Sequence, residues 1–231
     1  MAGKTGLNIV TDSLVLYLDA ANNKSYISGS TIWNDISRTQ TTGSLRNGPI
    51  YNSTNAGGVT FDGSNDSINI KSTTSTIYTS TTSWEFIAKP TLNASYRPFF
   101  SLSDYNDALG WISLFFNPNG MQFRINVSDV AQSTRALDFY FGTSLTAAGI
   151  YTHIVLTYDG SYFRLYQNGI LINTSTIWTY GLGTNTKSQV LGYFWGGYWT
   201  GDINLFRQYN KTLSLAEVQQ NFNTIRSRFN I

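Results

Sequence analysis

Side-chain catalysis needs groups that give, take or share a proton, and this chain supplies few of them. Its 231 residues include two glutamates, Glu85 and Glu217, one histidine, His153, and no cysteine. Glycoside hydrolysis needs an acid and a second carboxylate ~5–10 Å apart. Glu85 stands alone in an apolar run, and Glu217 follows Ser214 at the spacing of a helix capping box. Asp104 and Asp107 lie close enough to pair, but solvated loop positions account for both. A single histidine excludes a two-histidine metal site, and without cysteine there is neither a thiolate metal site nor a disulfide. No Gly-x-Ser-x-Gly segment presents a nucleophilic serine for His153 to activate.

Binding chemistry is better represented. Between Gly192 and Gly201 five aromatic residues, Tyr193, Phe194, Trp195, Tyr198 and Trp199, are interleaved with glycines. Aromatic rings offer a flat apolar face to a ligand, and a glycine-rich loop lets them stand clear of the backbone. Trp195, at the loop apex, is the first candidate, with packing against a neighbouring subunit as the competing reading. Trp178 and Tyr180 lie in a second polar loop, 174–185, and could extend the same surface or form an oligomer contact. Trp84 and Trp111 fall inside predicted strands and are expected in the core.

The elements that must carry these residues are short strands separated by turn signals, the pattern of an all-β sandwich. Leu14, Leu16 and Leu18 alternate on one face. Residues 59–61 run into an Asp62-Gly63 turn, from which Ile68 and Ile70 emerge together. Further strands are expected at 83–89, 98–103, 111–116, 121–127, 137–141, 190–194 and 203–209. Asn168-Gly169 between residues 162–167 and 170–172 predicts a tight hairpin, because both turn positions need positive φ. Ser214 and Glu217 open a helix in which Leu215, Val218 and Phe222 recur at helical period. The chain therefore divides into residues 1–11, a flexible arm or an ordered edge strand, the sandwich over 12–213, and the helix and tail over 214–231. The Thr/Ser-rich stretch 72–83 reads as a long surface loop.

Charged residues make up only 12% of the chain and the net charge is +2. That is too little positive charge, too scattered, to grip a phosphate backbone, so nucleic acid is not an expected partner. The first ten residues lack the apolar run of a signal peptide, and no stretch suits a membrane span. Synthesis without Sec export and no membrane insertion are the expectation.

Several segments together resemble the laminin-G-like jelly-roll domains of the concanavalin-A-like lectin and glucanase superfamily. They are Leu14-Val15-Leu16-Tyr17-Leu18-Asp19, Trp33-Asn34-Asp35, Phe61-Asp62-Gly63-Ser64-Asn65-Asp66, His153-Ile154-Val155-Leu156-Thr157-Tyr158-Asp159, Leu165-Tyr166-Gln167-Asn168-Gly169, and Gly201-Asp202-Ile203 with the residues to Ser214. The resemblance implies an antiparallel sandwich of two sheets, with ligands held at loop rims or on a concave face. It places Trp33 in the core and gives His153 a structural role. It also implies that Tyr198 or Trp199, just before Gly201-Asp202-Ile203, packs inward. Glucanases of this fold carry a Glu-x-Asp-x-Glu strand, which this chain lacks, so no catalytic residue is expected. Some members hold calcium at the rim, for which Asp62, Asn65, Asp66 and Asp202 are the candidates, although ordinary turn roles explain them.

The C-terminus, from Leu215-Ala216-Glu217-Val218 to Arg226-Ser227-Arg228-Phe229, resembles versions of the domain found in structural proteins of tailed bacteriophages. That implies a non-catalytic virion component, made in the host cytoplasm, that docks onto other virion proteins in multiple copies or as a homo-oligomer. Weak glycan binding through Trp195, Tyr198, Trp178 and Tyr180 is a second capacity. The alternative is a lectin-like adhesin for host-surface polysaccharide. Arg226 and Arg228 are either an anchoring segment or a solvated helix end that favours cations.

Overall fold

The computed structural model describes residues 8–54, 57–71, 81–91, 97–102, 111–117, 120–128, 134–140, 149–182 and 188–231. Asp104, Asp107, residues 1–7 and most of the 72–83 stretch lie outside these, as does the side chain of Trp111. Two eight-stranded sheets, antiparallel throughout, face each other across one aromatic core.

The first sheet runs β14 (Ile170–Thr174), β13 (Phe163–Gln167), β12 (Thr152–Tyr158), β7 (Thr82–Pro90), β18 (Thr200–Tyr209), β5 (Gly58–Asp62), β4 (Ile50–Asn52). β18 shares its outer edge between two partners: its first half pairs with β5, and its second half pairs with β1 (Leu14–Asp19). A bulge at Asn204 separates the halves, and the Asn204 amide donates to the Gly57 carbonyl at 2.7 Å. The second sheet runs β11 (Thr134–Tyr140), β10 (Gly120–Ser128), β9 (Trp111–Asn117), β8 (Arg97–Leu102), β15 (Gln189–Leu191), β6 (Ser67–Lys71), β3 (Thr42–Arg46), β2 (Ile32–Asn34).

Alternation along β7 explains how the sandwich is filled. Trp84, Phe86 and Ala88 point into the core, where Phe86 stacks on Phe206 at 4.7 Å and meets Phe99 edge-on at 5.2 Å. Glu85 and Ile87 point the other way, onto a face closed by α1 (Leu215–Phe229). Ser214 caps this helix by accepting from the Glu217 N–H while the Glu217 carboxylate accepts from the Ser214 N–H at 2.9 Å, the expected box. The buried stripe, however, is Val218, Asn221, Ile225 and Phe229. Leu215 is exposed and Phe222 half-buried, so the apolar periodicity expected from Leu215 is displaced by a polar residue, Asn221.

Both chain ends are tied to this face. The Val10 N–H donates to Asn221 Oδ1 at 2.8 Å, and Gln220 donates to the Asn8 carbonyl. Arg228 grips Asp19 through both guanidinium nitrogens, at 2.8 and 2.9 Å, so it serves the fold of its own chain. The Asn168-Gly169 hairpin forms as expected, with φ of 48° and 77°, and Phe222 packs 3.0 Å from where a Gly169 Cβ would stand.

Candidate functional site

Glu85 and His153, the residues best suited to proton chemistry, are buried together beneath α1. Glu85 Oε1 lies 2.9 Å from His153 Nε2 and accepts from Arg207 at 3.0 Å, while Oε2 accepts from Asn221 at 2.8 Å and Tyr209 at 3.2 Å. Arg207 also lies over the Tyr17 ring. Burial acts first and pushes the Glu85 carboxyl up, but Arg207 beside it and the His153 hydrogen bond more than offset this and hold it at about 2. Burial, then the Glu85 charge, raises the Tyr209 phenol, which therefore remains a donor. Glu85, His153, Arg207, Tyr209 and Asn221 are all shut off from solvent, so the cluster holds the helix to the sheet. Glu217, the other glutamate, is occupied by the cap and by Lys211.

The accessible chemistry lies on the outer face of the second sheet, where the aromatic–glycine segment folds back. The strand expected over 190–194 ends at Leu191, because Gly192 (φ 85°) turns the chain away. A Cβ there would stand 2.5 Å from the Phe61 ring, so only glycine fits. A small hairpin follows, β16 (Tyr193–Phe194) and β17 (Gly197–Tyr198), with Trp195 (φ 48°) and Gly196 (φ 77°) at its tip. Trp195 is 72% exposed and stacks on Phe194, which seats edge-on against Phe115. Tyr193 and Tyr198 face each other across the hairpin with ring centroids 4.9 Å apart. Trp199 leaves the hairpin for the core, against Phe116 and Phe99, so of the two aromatics before Gly201 it is Trp199 that packs inward.

Two polar anchors fix the hairpin. Ser101 Oγ donates to the Tyr193 carbonyl at 2.9 Å. One Arg97 nitrogen donates to the carbonyls of Tyr198 (2.9 Å) and Gly63 (3.2 Å), joining the hairpin to the 62–66 turn. Opposite the tyrosines, Arg46 stands across the ladder from Ser67, and Asn69 lies between Ser44 and Val190. The Asn47 amide donates to the Asn65 carbonyl at 2.8 Å. Together Arg46, Asn47, Asn65, Ser67, Asn69, Val190, Tyr193 and Tyr198 line a cleft of ≈390 Å³. Asn69 Oδ1 is buried with no hydrogen-bond donor among the described residues.

Of the residues expected to bind, Tyr198 lines this cleft and Trp195 stands at the hairpin tip beside it. Trp178 does not share the surface: it is 3% exposed, and its indole donates to the Gly181 carbonyl at 2.7 Å. Tyr180 packs edge-on against it, more than half exposed. The pair sits beyond Tyr158, which donates to the Trp178 carbonyl and pairs with Thr82, whereas Gly201, near the hairpin, pairs with Pro90. The length of β7, roughly 25–30 Å, therefore separates the two places.

The calcium candidates are used as turn and ladder residues. Asp62 Oδ1 accepts from the Ser64 N–H, Asp66 Oδ2 from the Asp62 N–H, and Asp202 Oδ1 from Thr60. Asn65 belongs to the cleft. No group of three or more His, Cys, Asp or Glu among the described residues is arranged to hold a metal ion. Tyr193, Arg46, Asn47, Ser67, Asn69 and Val190 were not among the expected site residues. Of these only Tyr193, inside the aromatic–glycine segment, carried a local signal.

Residues 62–219 match the family model Laminin_G_3, described as the Concanavalin A-like lectin/glucanases superfamily. No curated protein matches the chain. Among solved structures, domain 4 of AbnA, a GH43 extracellular arabinanase from Geobacillus stearothermophilus in complex with arabinotriose, is similar with a TM-score of 0.69 and 17% identity. The alignment covers 92% of this chain and 99% of that one. The botulinum neurotoxin serotype D binding domain is similar with TM-score 0.68 and 18% identity, over 92% of this chain and 51% of that one. The binding domain of Paraclostridial Mosquitocidal Protein 1 gives 0.69 and 18%, over 92% and 52%. At these identities the likeness is one of fold.

Proposed function

We propose that this chain, which belongs to the concanavalin-A-like lectin/glucanase superfamily, is a non-catalytic glycan-binding domain whose site is the cleft between Arg46 and the Tyr193–Tyr198 pair. The observation that carries the reading is the composition of that cleft. Two tyrosines offer apolar ring surface with a polar tip, and three asparagines and a serine offer donors and acceptors for sugar hydroxyls. A volume of ≈390 Å³ suits one or two sugar rings. No carboxylate is among the described residues that line it, which argues against hydrolysis by an acid–nucleophile pair there. That a similar domain is seen with arabinotriose supports a glycan as ligand class. A glycan array followed by calorimetry tests it: wild type should bind at least one oligosaccharide, and Tyr198→Ala should weaken that binding roughly tenfold while keeping its melting temperature. No binding across the array would overturn the reading.

A second reading, a virion component present in many copies, draws on the phage-like C-terminal segment and on one structural feature. β14 is an edge strand whose Ile170, Leu171 and Ile172 are all exposed, with Ile177 and Tyr180 exposed in the loop that follows. The strand carries no charge, so two copies meeting edge to edge, antiparallel about a two-fold axis, find no like-charge opposition. Light scattering of wild type against Ile172→Lys tests the contact: an oligomer that the variant reduces to monomer supports it, and a monomeric wild type removes it. Absence of the chain from mass spectra of purified virions removes the virion assignment.

A further inference from the structure

Among the described residues that line the cleft there is one guanidinium and no acid. Arg46 is exposed at the end of β3 and forms no ion pair among the described residues. The two nearby aspartates face elsewhere: Asp66 is buried with its carboxylate on the Asp62 N–H, and Asp62 is turned to the Ser64 N–H. Arg97, the second guanidinium, reaches only carbonyl oxygens behind Tyr198 and has no carboxylate partner among the described residues. Among the described residues, Arg46 in the cleft and Arg97 beneath the Tyr198 carbonyl therefore have only neutral partners. A neutral sugar draws little from the solvated Arg46 charge, whereas an anionic group can take two parallel N–H···O bonds from its planar fork.

We propose that the cleft selects an acidic sugar, a residue bearing a carboxylate or a sulfate ester, with Arg46 as the specificity-determining side chain. The inference rests on the glycan-binding reading above and narrows it to a ligand class. The ring of such a sugar lies against Tyr193 and Tyr198, its hydroxyls meet Asn47, Ser67 and Asn69, and its anionic group points to Arg46. Because Arg46 is exposed, the gain is screened by salt: roughly tenfold in affinity at low ionic strength, shrinking as salt approaches ~1 M.

The test is calorimetric titration with uronic-acid, sialic-acid and sulfate-bearing oligosaccharides beside neutral parents of the same linkage, using wild type, Arg46→Gln, Arg46→Lys and Tyr198→Ala. The expected result is that at least one acidic oligosaccharide binds about tenfold more tightly than its neutral parent. Arg46→Gln should remove that difference, Arg46→Lys should restore part of it, and Tyr198→Ala should weaken acidic and neutral forms alike. Preference confined to the sulfated arm supports the proposal with sulfate as the anion. Equal affinity for acidic and neutral forms, unchanged in Arg46→Gln but weakened in Tyr198→Ala, overturns the acidic selectivity and leaves the glycan site standing. Failure of every sugar to bind overturns both.

Discussion

The Arg207 guanidinium meets the Glu85 carboxylate at 3.0 Å where both side chains are essentially excluded from water. Asn221 of α1 donates to the same carboxylate, and its Oδ1 accepts from the Val10 backbone. One ion pair thus joins two central strands, the C-terminal helix and the N-terminal segment. The only strand-borne glutamate is consumed by architecture, which argues against a catalytic role for it.

Breaking this pair from one side leaves a buried charge without its partner. Glu85→Ala should lose about 3–5 kcal/mol of stability in urea unfolding. Glycan affinity, measured where the variant is still folded, should be unchanged, because the cluster and the cleft lie on different sheets.

The pH dependence follows from the same carboxyl. Its folded value is depressed to about 2 from an ordinary 4.5. Its contribution is therefore fully present above about pH 5 and is lost as the pH falls through the interval between those values. Urea midpoints should decline from about pH 5 towards pH 2. Glu85→Gln, which cannot titrate, should show a shallower decline over that window.

Trp178 and Tyr198 should separate folding from binding. Trp178→Ala empties a buried site and should cost about 3–5 kcal/mol. Tyr198→Ala should cost little stability and weaken glycan binding roughly tenfold, about 1.4 kcal/mol. Denaturation and calorimetry on the two variants check both halves.

Asn221→Ala removes donors to Glu85 and Tyr209 and the acceptor for Val10. A loss of roughly 2–3 kcal/mol is expected. Hydrogen exchange should show faster exchange at the Val10 amide and along α1, with the β8–β9–β10 amides unchanged.

Local signals were readable in the sequence and distant ones were not. The Asn168-Gly169 turn and the Ser214–Glu217 cap depend on residues within a few positions, and both form as their chemistry dictates. The break at Gly192 depends on the Phe61 ring, contributed by a strand more than a hundred residues earlier. The cleft needs segments 46–47, 65–69 and 190–198 brought together by ladder pairing through β3, β6 and β15, so Arg46 and Asn69 carry no mark of their own. Trp178 misleads for the opposite reason: it lies in a Ser/Thr-rich segment beside an exposed Ile177, yet Tyr158 and the Gly181 carbonyl hold it inside. Glu85 reads as a lone carboxylate because its partners arrive at positions 153, 207, 209 and 221.

Amide chemical-shift mapping tests the central claim most directly, by titrating isotope-labelled protein with an oligosaccharide selected from the array. The account predicts perturbations centred on Arg46, Asn47, Asn69, Tyr193 and Tyr198, with those near Trp178 and Tyr180 silent. Perturbations clustered at the Trp178 end, or on the face covered by α1, would contradict it.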